Sequence, residues 1–392
     1  MTSSPGTTTD RRPLQAHTCD ARDVCESTAS ASASAILTID LAAVRANYRL
    51  LRDRLTGASC AAVVKADAYG LGALKIAPAL HDEGCRHFFV AHLDEGLALK
   101  TVLPPGIDIF ILNGLPFGAE NTCLEAGLIP VLNSLEQLEA WGAAARRTGR
   151  SLPAVLQVDS GMARLGLSPS EVDRIATEPD RLSGLVIRLV MSHLACADDP
   201  TSAANGAQLA AFRALRDRLP AAPAALANSS GIFLGPDYHF DLARPGAALY
   251  GLRPTDGVSN PMRPVVRLDA RVIQVRTISK GTPVGYSHTW HAGSPSRIAT
   301  LSVGYADGWL RHLSNGGTVY FGELPMPIVG RVSMDSITVD ATALAPETLH
   351  PGALVELIGP HQTVDDVAAQ AGTIGYEILT SLGDRYHRIY RN

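Results

Sequence analysis

The stretch AAVVKADAYGLGA, Ala61 to Ala73, begins as a buried strand, meets a lysine, and breaks at Tyr69, Gly70 and Gly72 before the next apolar run. A short apolar strand that ends in a polar or glycine turn and leads into an Ala/Leu-rich helix pattern is a βα unit. This unit recurs from Ile36 to about Met262. Its candidate strands are CAAVVKADA, RHFFVAHL, IDIFILNG, LIPVLNS, PAVLQVDSG, VIRLVMSHL, PAALANSS and FDLARPGAALYG. Helix patterns lie between them, among them Ser134 to Thr148 and Ser168 to Ala176. Alternating strands and helices imply a parallel sheet. Eight units in roughly 230 residues match a (β/α)8 TIM-like barrel. An open doubly wound sheet shares the pattern, since alternation does not show closure.

After Arg263 the pattern changes to β-branched, alternating segments punctuated by Gly and Pro. VVRLDARVIQVRTI, SRIATLSVGYA, GTVYFGELPMPIVGRVSM, SITVDA and ALVELIG read as antiparallel strands. One helix, Val364 to Ala371 with Thr363 as N-cap, interrupts them. The expected α/β architecture is a barrel over 36–262 followed by a mostly-β C-terminal domain over 263–392. Residues 1–35 are rich in Ser, Thr and Ala, lack apolar periodicity, and read as a disordered N-terminal tail. They lack the apolar core of a secretory signal.

Composition excludes several classes. Thirty-four basic and 38 acidic residues leave a net charge of −4, which gives no electrostatic reason to expect nucleic acid. No apolar run reaches about 18 residues, so no membrane span is expected. Six cysteines, at 19, 25, 60, 85, 123 and 196, form no CxxC pair, which fits reduced thiols in a cytoplasm. His81, Cys85 and His87 have no second ligand cluster at zinc spacing, so no metal site is expected.

Functional residues of a barrel gather at the C-terminal ends of its strands. Lys65 follows strand 1, Asp159 and Arg164 follow strand 5, and His193 ends strand 6. Asn228, Ser229 and Ser230 end strand 7, and Arg244 and Gly246 close strand 8. Lys65 has two local readings. It is an ammonium that reaches out to pair with Asp67, or a desolvated, neutral amine that acts as a nucleophile. A neutral amine condenses with an aldehyde, and pyridoxal 5'-phosphate is the cofactor that supplies one. Ser229 and Gly246, after strands 7 and 8, sit where barrels hold a phosphate.

The chain resembles a known family. AVVKADAYGLGA resembles the cofactor-lysine motif of alanine racemases, fold-type III pyridoxal phosphate enzymes. VDSGMARLGL, MSHLACAD, ANSSG, ARPGAALYG, VGYSHTW, VGYADGW, GRVSMDS and TIGYEIL follow in family order, from about Ile36 to the C-terminus. The resemblance implies that Lys65 carries the cofactor and serves as one acid/base, and that Tyr286 is the second. Inversion at a planar carbanion needs proton donors on opposite faces. A tyrosine, titrating near ~10 when free, must be tuned downward to act as a base. His193 matches the histidine that contacts its hydroxyl. Arg244 matches the arginine facing the pyridine nitrogen, where a decarboxylase would carry a carboxylate. Tyr69, Ser229, Gly246, Ala247 and Tyr376 match phosphate positions. Arg164 matches the substrate-carboxylate residue, Met334 and Asp335 the segment closing the pocket, and Tyr305 the gate. In the family, Tyr286, Tyr305 and Met334 enter the partner's site, so the resemblance implies a homodimer with composite active sites.

The chain departs from the family pattern in places. Gln157 stands where many relatives carry a carbamylated lysine that orients the arginine, so Arg164 is expected to be positioned by Gln157 with a bound anion such as chloride. Ser333, Ser336 and Gly375 replace the commoner Cys, Gln and Asn. The expected activity is interconversion of L- and D-alanine, for peptidoglycan or alanine catabolism. The alternatives are a serine or broad-specificity racemase and a non-catalytic pyridoxal phosphate-binding protein.

Overall fold

The computed structural model describes Met1 and residues 32–392; the remainder of the expected tail lies outside them. The first strand, β1 (Ala35–Asp40), leads into a helix at Leu41–Asp53, capped by the Asp40 carboxylate on the Ala43 N–H. Two short strands, β2 (Ser59–Cys60) and β3 (Ala62–Val63), then form one stave of the barrel. They are followed by β4 (His87–Val90), β5 (Asp108–Ile111), β6 (Ile129–Leu132), β7 (Leu152–Gln157), β8 (Leu185–Met191), β9 (Ala224–Ala225) and β10 (Leu242–Ala243). Strands β3 to β9 form one parallel sheet, and β10 pairs with β2. Backbone bonds from Asp241 N–H to Ala224 O and from Arg244 N–H to Ala227 O join β9 to β10, so the barrel closes. Closure removes the doubly wound alternative.

The helix expected at 134–148 runs Leu135–Thr148. Ser134 accepts from the Gln137 N–H, and Gly149 ends it at φ +62. Its Trp141 ring is buried and donates Nε1–H to Pro153 O on β7. Inside the barrel, Phe89 and Phe110 stack with centroids 4.5 Å apart. Burying side chains of this size stabilises by about 1.5–3 kcal/mol each.

The C-terminal domain is built on a long central strand, β11 (Val266–Ile278). A small pair, β12 (Pro283–Val284) and β13 (Trp290–His291), precedes β14 (Ser296–Leu301). The rest are β15 (Thr318–Phe321), β16 (Leu324–Pro327), β17 (Ile337–Asp340), β18 (Leu354–Ile358) and β19 (His387–Arg391). The main sheet has the order β16-β15-β18-β11-β1-β19, with β14 pairing β11 and β17.

Two expectations differ from the structure here. Residues 36–40 were expected in the barrel, but β1 pairs antiparallel with β11 and parallel with β19. Its pattern of buried residues suits either sheet, and only long-range pairing decides between them. A single helix was expected in this domain. The helix at Val364–Ala371 has the Thr363 cap, but a second follows at Gly375–Ser381. Gly375 at its start lowers intrinsic helix propensity. The helix is held instead by packing, with Gly375 against Leu252 and the Ser381 carbonyl against Gly308.

Gly308 has φ +89, and a Cβ there would lie within 1.8 Å of the Ser381 carbonyl oxygen. Gly308→Ala should therefore destabilise the protein by about 2–3 kcal/mol, read as a lowered urea midpoint. An unchanged midpoint would show that this contact relaxes freely.

Candidate active site

Lys65 follows β3 by two residues and begins a left-handed helical turn, Lys65–Gly70. Ala66, Asp67, Ala68 and Tyr69 all have φ between 51 and 58. Left-handed helical backbone costs an L-residue roughly 1–2 kcal/mol, so fixed partners must hold four such residues in succession. Glu95 accepts the Ala66 N–H at 2.5 Å, and its other oxygen accepts from Ala91 and His92 at the end of β4. Asp67 Oδ1 accepts the Ala73 N–H at 2.7 Å, at the start of the helix Ala73–Asp82. This bond spends the Asp67 carboxylate, and no ion pair joins it to Lys65 among the described residues. The turn puts the Lys65 amine and the Tyr69 ring on one cavity.

That cavity, of about 350 Å³, is lined by Lys65, Tyr69, Arg164, His193, Ser229, Arg244, Gly246, Ala247 and Tyr376, together with Val63, Leu112, Asn228 and Thr380. A neighbouring space of about 250 Å³ shares Lys65, Leu112, Arg164 and His193 and adds Gln157. Burial, with Arg164 assisting, lowers the Lys65 pKa, and Glu95 opposes the shift. The local choice at Lys65 therefore falls toward the neutral amine.

Strand ends hold the other groups. Arg244 is buried and donates to Ser192 O at 2.6 Å and Ala225 O at 3.3 Å, with its guanidinium 5.9 Å from the Phe89 centroid. Burial lowers its pKa to about 10, so it keeps its charge near neutrality. Ser192 in turn donates to Val158 O, tying β7, β8 and β10 together. His193 is pushed down to about 3, first by desolvation and then by Arg244, Arg164 and Lys65. Its imidazole is neutral. Ser229 Oγ accepts the Gly246 N–H at 2.9 Å and the Ala248 N–H at 3.2 Å. A Cβ on Gly246 would meet the Tyr69 hydroxyl at 2.4 Å, so only glycine leaves this corner open. Tyr69 packs between Tyr250 and Tyr376, at 4.7 and 6.0 Å between centroids. Burial raises the pKa of both Tyr69 and Tyr376, so both hydroxyls stay protonated.

Arg164 differs from its expected setting. Among the described residues, neither Gln157 nor a carboxylate hydrogen-bonds its guanidinium. Asp159 instead closes its own loop, accepting the N–H groups of Gly161, Met162 and Ala163. Ala163 is left at φ +56, and Arg164 projects to the cavity rim.

Tyr286, Tyr305, Met334 and Asp335 do not line the cavity of their own chain. Tyr286, Tyr305 and Met334 are 70%, 42% and 53% exposed on the C-terminal domain. Tyr305 N–H bonds Ser333 O and Ala306 N–H bonds Met334 O, so two of these segments lie together. Arg385 braces them, bidentate to Asp307 and at 2.7 Å from Asp335 Oδ1. Sequence reasoning missed Glu95, Arg385 and the aromatic backing of Tyr250, whose hydroxyl donates to Val63 O. Glu95 in HLDEG offered one signal, an acidic residue in a helix's first turn. The other two offered none. Among the described residues, no group of three or more metal-ligating side chains gathers.

Residues 39–254 match the family profile of the alanine racemase N-terminal domain, and residues 265–390 that of the C-terminal domain. The chain belongs to the alanine racemase family. A relative from Mesorhizobium japonicum, named "Alanine racemase, catabolic", is 58% identical over 360 residues, 92% of this chain and 94% of its own. The alanine racemase of Brucella canis is 55% identical over 372 residues, again 92% and 94%. A solved alanine racemase from Bartonella henselae, with covalently bound pyridoxal phosphate, superposes at a TM-score of 0.89 with 49% identity, covering 91% of this chain and 99% of that one. The family's architecture, a barrel with a mostly-β domain, is the one observed.

His193 gives a pH test. The free imidazole titrates near ~6.5, so unfolding takes up a proton between about pH 6.5 and about 3. Stability should fall as pH falls through that window, and His193→Gln should flatten the slope of urea midpoint against pH. An unaltered slope would place the acid sensitivity elsewhere.

Proposed function

We propose that this chain is a pyridoxal phosphate-dependent racemase interconverting L- and D-alanine, with Lys65 and Tyr286 as bases on opposite faces of the substrate. The observation that carries the reading is the charge balance of the cavity. Among the described residues, Lys65, Arg164 and Arg244 line it and no carboxylate does. A pocket lined by two guanidiniums, an amine and hydroxyls suits anionic groups, a phosphate and a substrate carboxylate. The residues fit a phosphorylated aldehyde. The Lys65 amine, held toward its neutral form, would bond the aldehyde carbon. Ser229, the Gly246–Ala247 turn and the hydroxyls of Tyr69 and Tyr376 would hold the phosphate end. When bound, pyridoxal phosphate supplies a conjugated ring that withdraws electrons from the substrate Cα and acidifies its proton.

The chain's own groups then direct the outcome. Arg244 keeps its protons and would face the pyridine nitrogen as a donor only, which leaves that nitrogen unprotonated and moderates the electron demand. Moderated demand favours return of a proton to Cα over transamination or decarboxylation. Arg164 would grip the substrate carboxylate from the rim. Lys65 would take or return the Cα proton on one face. Tyr286 can serve the other only if a second copy seats this exposed face over the barrel mouth, which would bury Tyr286, Tyr305 and Met334 together. The reading therefore includes a homodimer with composite sites.

The relative named catabolic supports consumption of alanine as the role over supply of D-alanine for peptidoglycan. A cytoplasmic location belongs to the same reading, supported by free thiols at Cys60, Cys85, Cys123 and Cys196. Among the described residues, no helix is long and apolar enough to cross a membrane.

Purified protein supplied with pyridoxal phosphate should form D-alanine from L-alanine faster than D-serine from L-serine, followed by chiral chromatography. Tyr286→Phe should lose roughly 10²–10⁴-fold in turnover while keeping the absorbance of the bound cofactor. Wild-type protein that binds the cofactor and racemises neither amino acid would overturn the assignment.

A further inference from the structure

We propose that the C-terminal strand β19 is a clamp on the Lys65 turn, with Arg388 and Tyr390 as positioning residues that act with Glu95 to aim the lysine. The proposal rests on Lys65 being the cofactor-bearing residue. The geometry begins with strand periodicity. Arg388 and Tyr390 stand two apart on β19, so they share a face, and both meet the turn. Arg388 Nη1 donates to Gly70 O at 2.6 Å, while its Nη2 donates to Gly383 O at 3.2 Å. The Tyr390 hydroxyl donates to Leu71 O at 3.1 Å. Neither side chain lines the cavity, so neither touches the reacting atoms.

The fit is close enough to constrain the sequence. Gly72 has φ +97, and a Cβ there would lie 2.1 Å from the Tyr390 hydroxyl. On the other side of the turn, the Glu95 carboxylate is fixed to β4 through Ala91 and His92 and reaches the Ala66 N–H. The left-handed run at 66–69 is thus gripped at its first amide by the barrel and just past its last residue by β19. Four non-glycine residues in this backbone region relax toward right-handed or extended conformations unless both ends are held. Relaxation would swing Lys65 and Tyr69 off the cavity together. β19 pairs with β1 at Leu37↔Arg388 and Ile39↔Tyr390. The clamp therefore transmits the position of the C-terminal sheet to the lysine.

The test compares cofactor-loaded wild type with Arg388→Ala, Arg388→Lys and Tyr390→Phe. Amide hydrogen exchange is mapped by mass spectrometry, and kcat and KM are measured beside it. Loss of a hydrogen bond to a charged donor should raise exchange at 66–73 and lower kcat in Arg388→Ala by about 10–100-fold each. KM should move far less, added guanidinium ion should restore part of kcat, and Arg388→Lys should fall between. Unchanged exchange at 66–73 overturns the proposal. So does a rise spread evenly over the barrel, which would make Arg388 a general stability residue. Borohydride reduction of wild type, followed by peptide mapping, separately tests whether Lys65 holds the cofactor. Failure there would remove the functional reading, while the exchange pattern would still decide whether the turn is clamped.

Discussion

The backbone after Lys65 is the constraint on which the mouth of the barrel depends. Four residues, none of them glycine, sit in left-handed helical geometry between Lys65 and Gly70. A right-handed continuation would also keep Lys65 and Tyr69, four positions apart, on one face, but would wind the chain the other way and turn that face off the cavity. The left-handed turn brings both onto one cavity. Its cost is offset by groups with nowhere else to go: a carboxylate locked to β4, a second carboxylate capping the next helix, and a guanidinium and a phenol from the last strand. Strain at a functional site persists where the surroundings over-determine it, and here two domains do so from opposite sides.

The electrostatics follow from burial. Among the described residues, Lys65, Arg164 and Arg244 line a cavity with no carboxylate on its wall, and burial acts differently on Arg244, Lys65 and the neighbouring His193. Arg244 is anchored by backbone carbonyls and retains its charge. Burial, with Arg164 assisting, shifts Lys65 toward the free amine. His193 is kept neutral first by burial and then by the cations around it. One environment thus separates a permanent cation, a titratable amine and a neutral imidazole, and such separation is how a site assigns its acid and base functions. The C-terminal domain contributes differently. It braces the turn from behind through β19 and presents Tyr286, Tyr305 and Met334 outward.

Much of this was legible in the order of residues. The eight apolar runs, each ending in polar residues or glycine, announce barrel strands because a buried parallel strand needs no alternation and its C-terminal end needs a turn. Ser134 before LEQL and Thr363 before VDD announce helix starts because their hydroxyls accept the free amides of the first turn. The lysine, the arginines, the histidine and the serine at strand ends were identifiable as one cluster once the barrel was assumed, because strand ends of a barrel converge on one face.

Other features depended on contacts between distant parts of the chain. KADAYG carries no glycine at the four left-handed positions, so local propensity points away from the backbone it adopts. The strand at 35–40 suits either sheet by pattern, and pairing with β11 and β19 places it beside the C-terminal end of the chain. The helix at Gly375–Ser381 starts on a poor helix former and exists because Leu252 and Gly308 pack against it. Arg388 reads as one more surface cation until Gly70, 318 positions away, supplies its acceptor. The sequence by itself determined most of the elements, the Ser134 and Thr363 caps and the chemical inventory of the site, since these rest on interactions within a few residues. The tertiary structure decided which hand the lysine turn takes and what holds it, because that choice is unfavourable locally and is set by partners brought near only when both domains have folded.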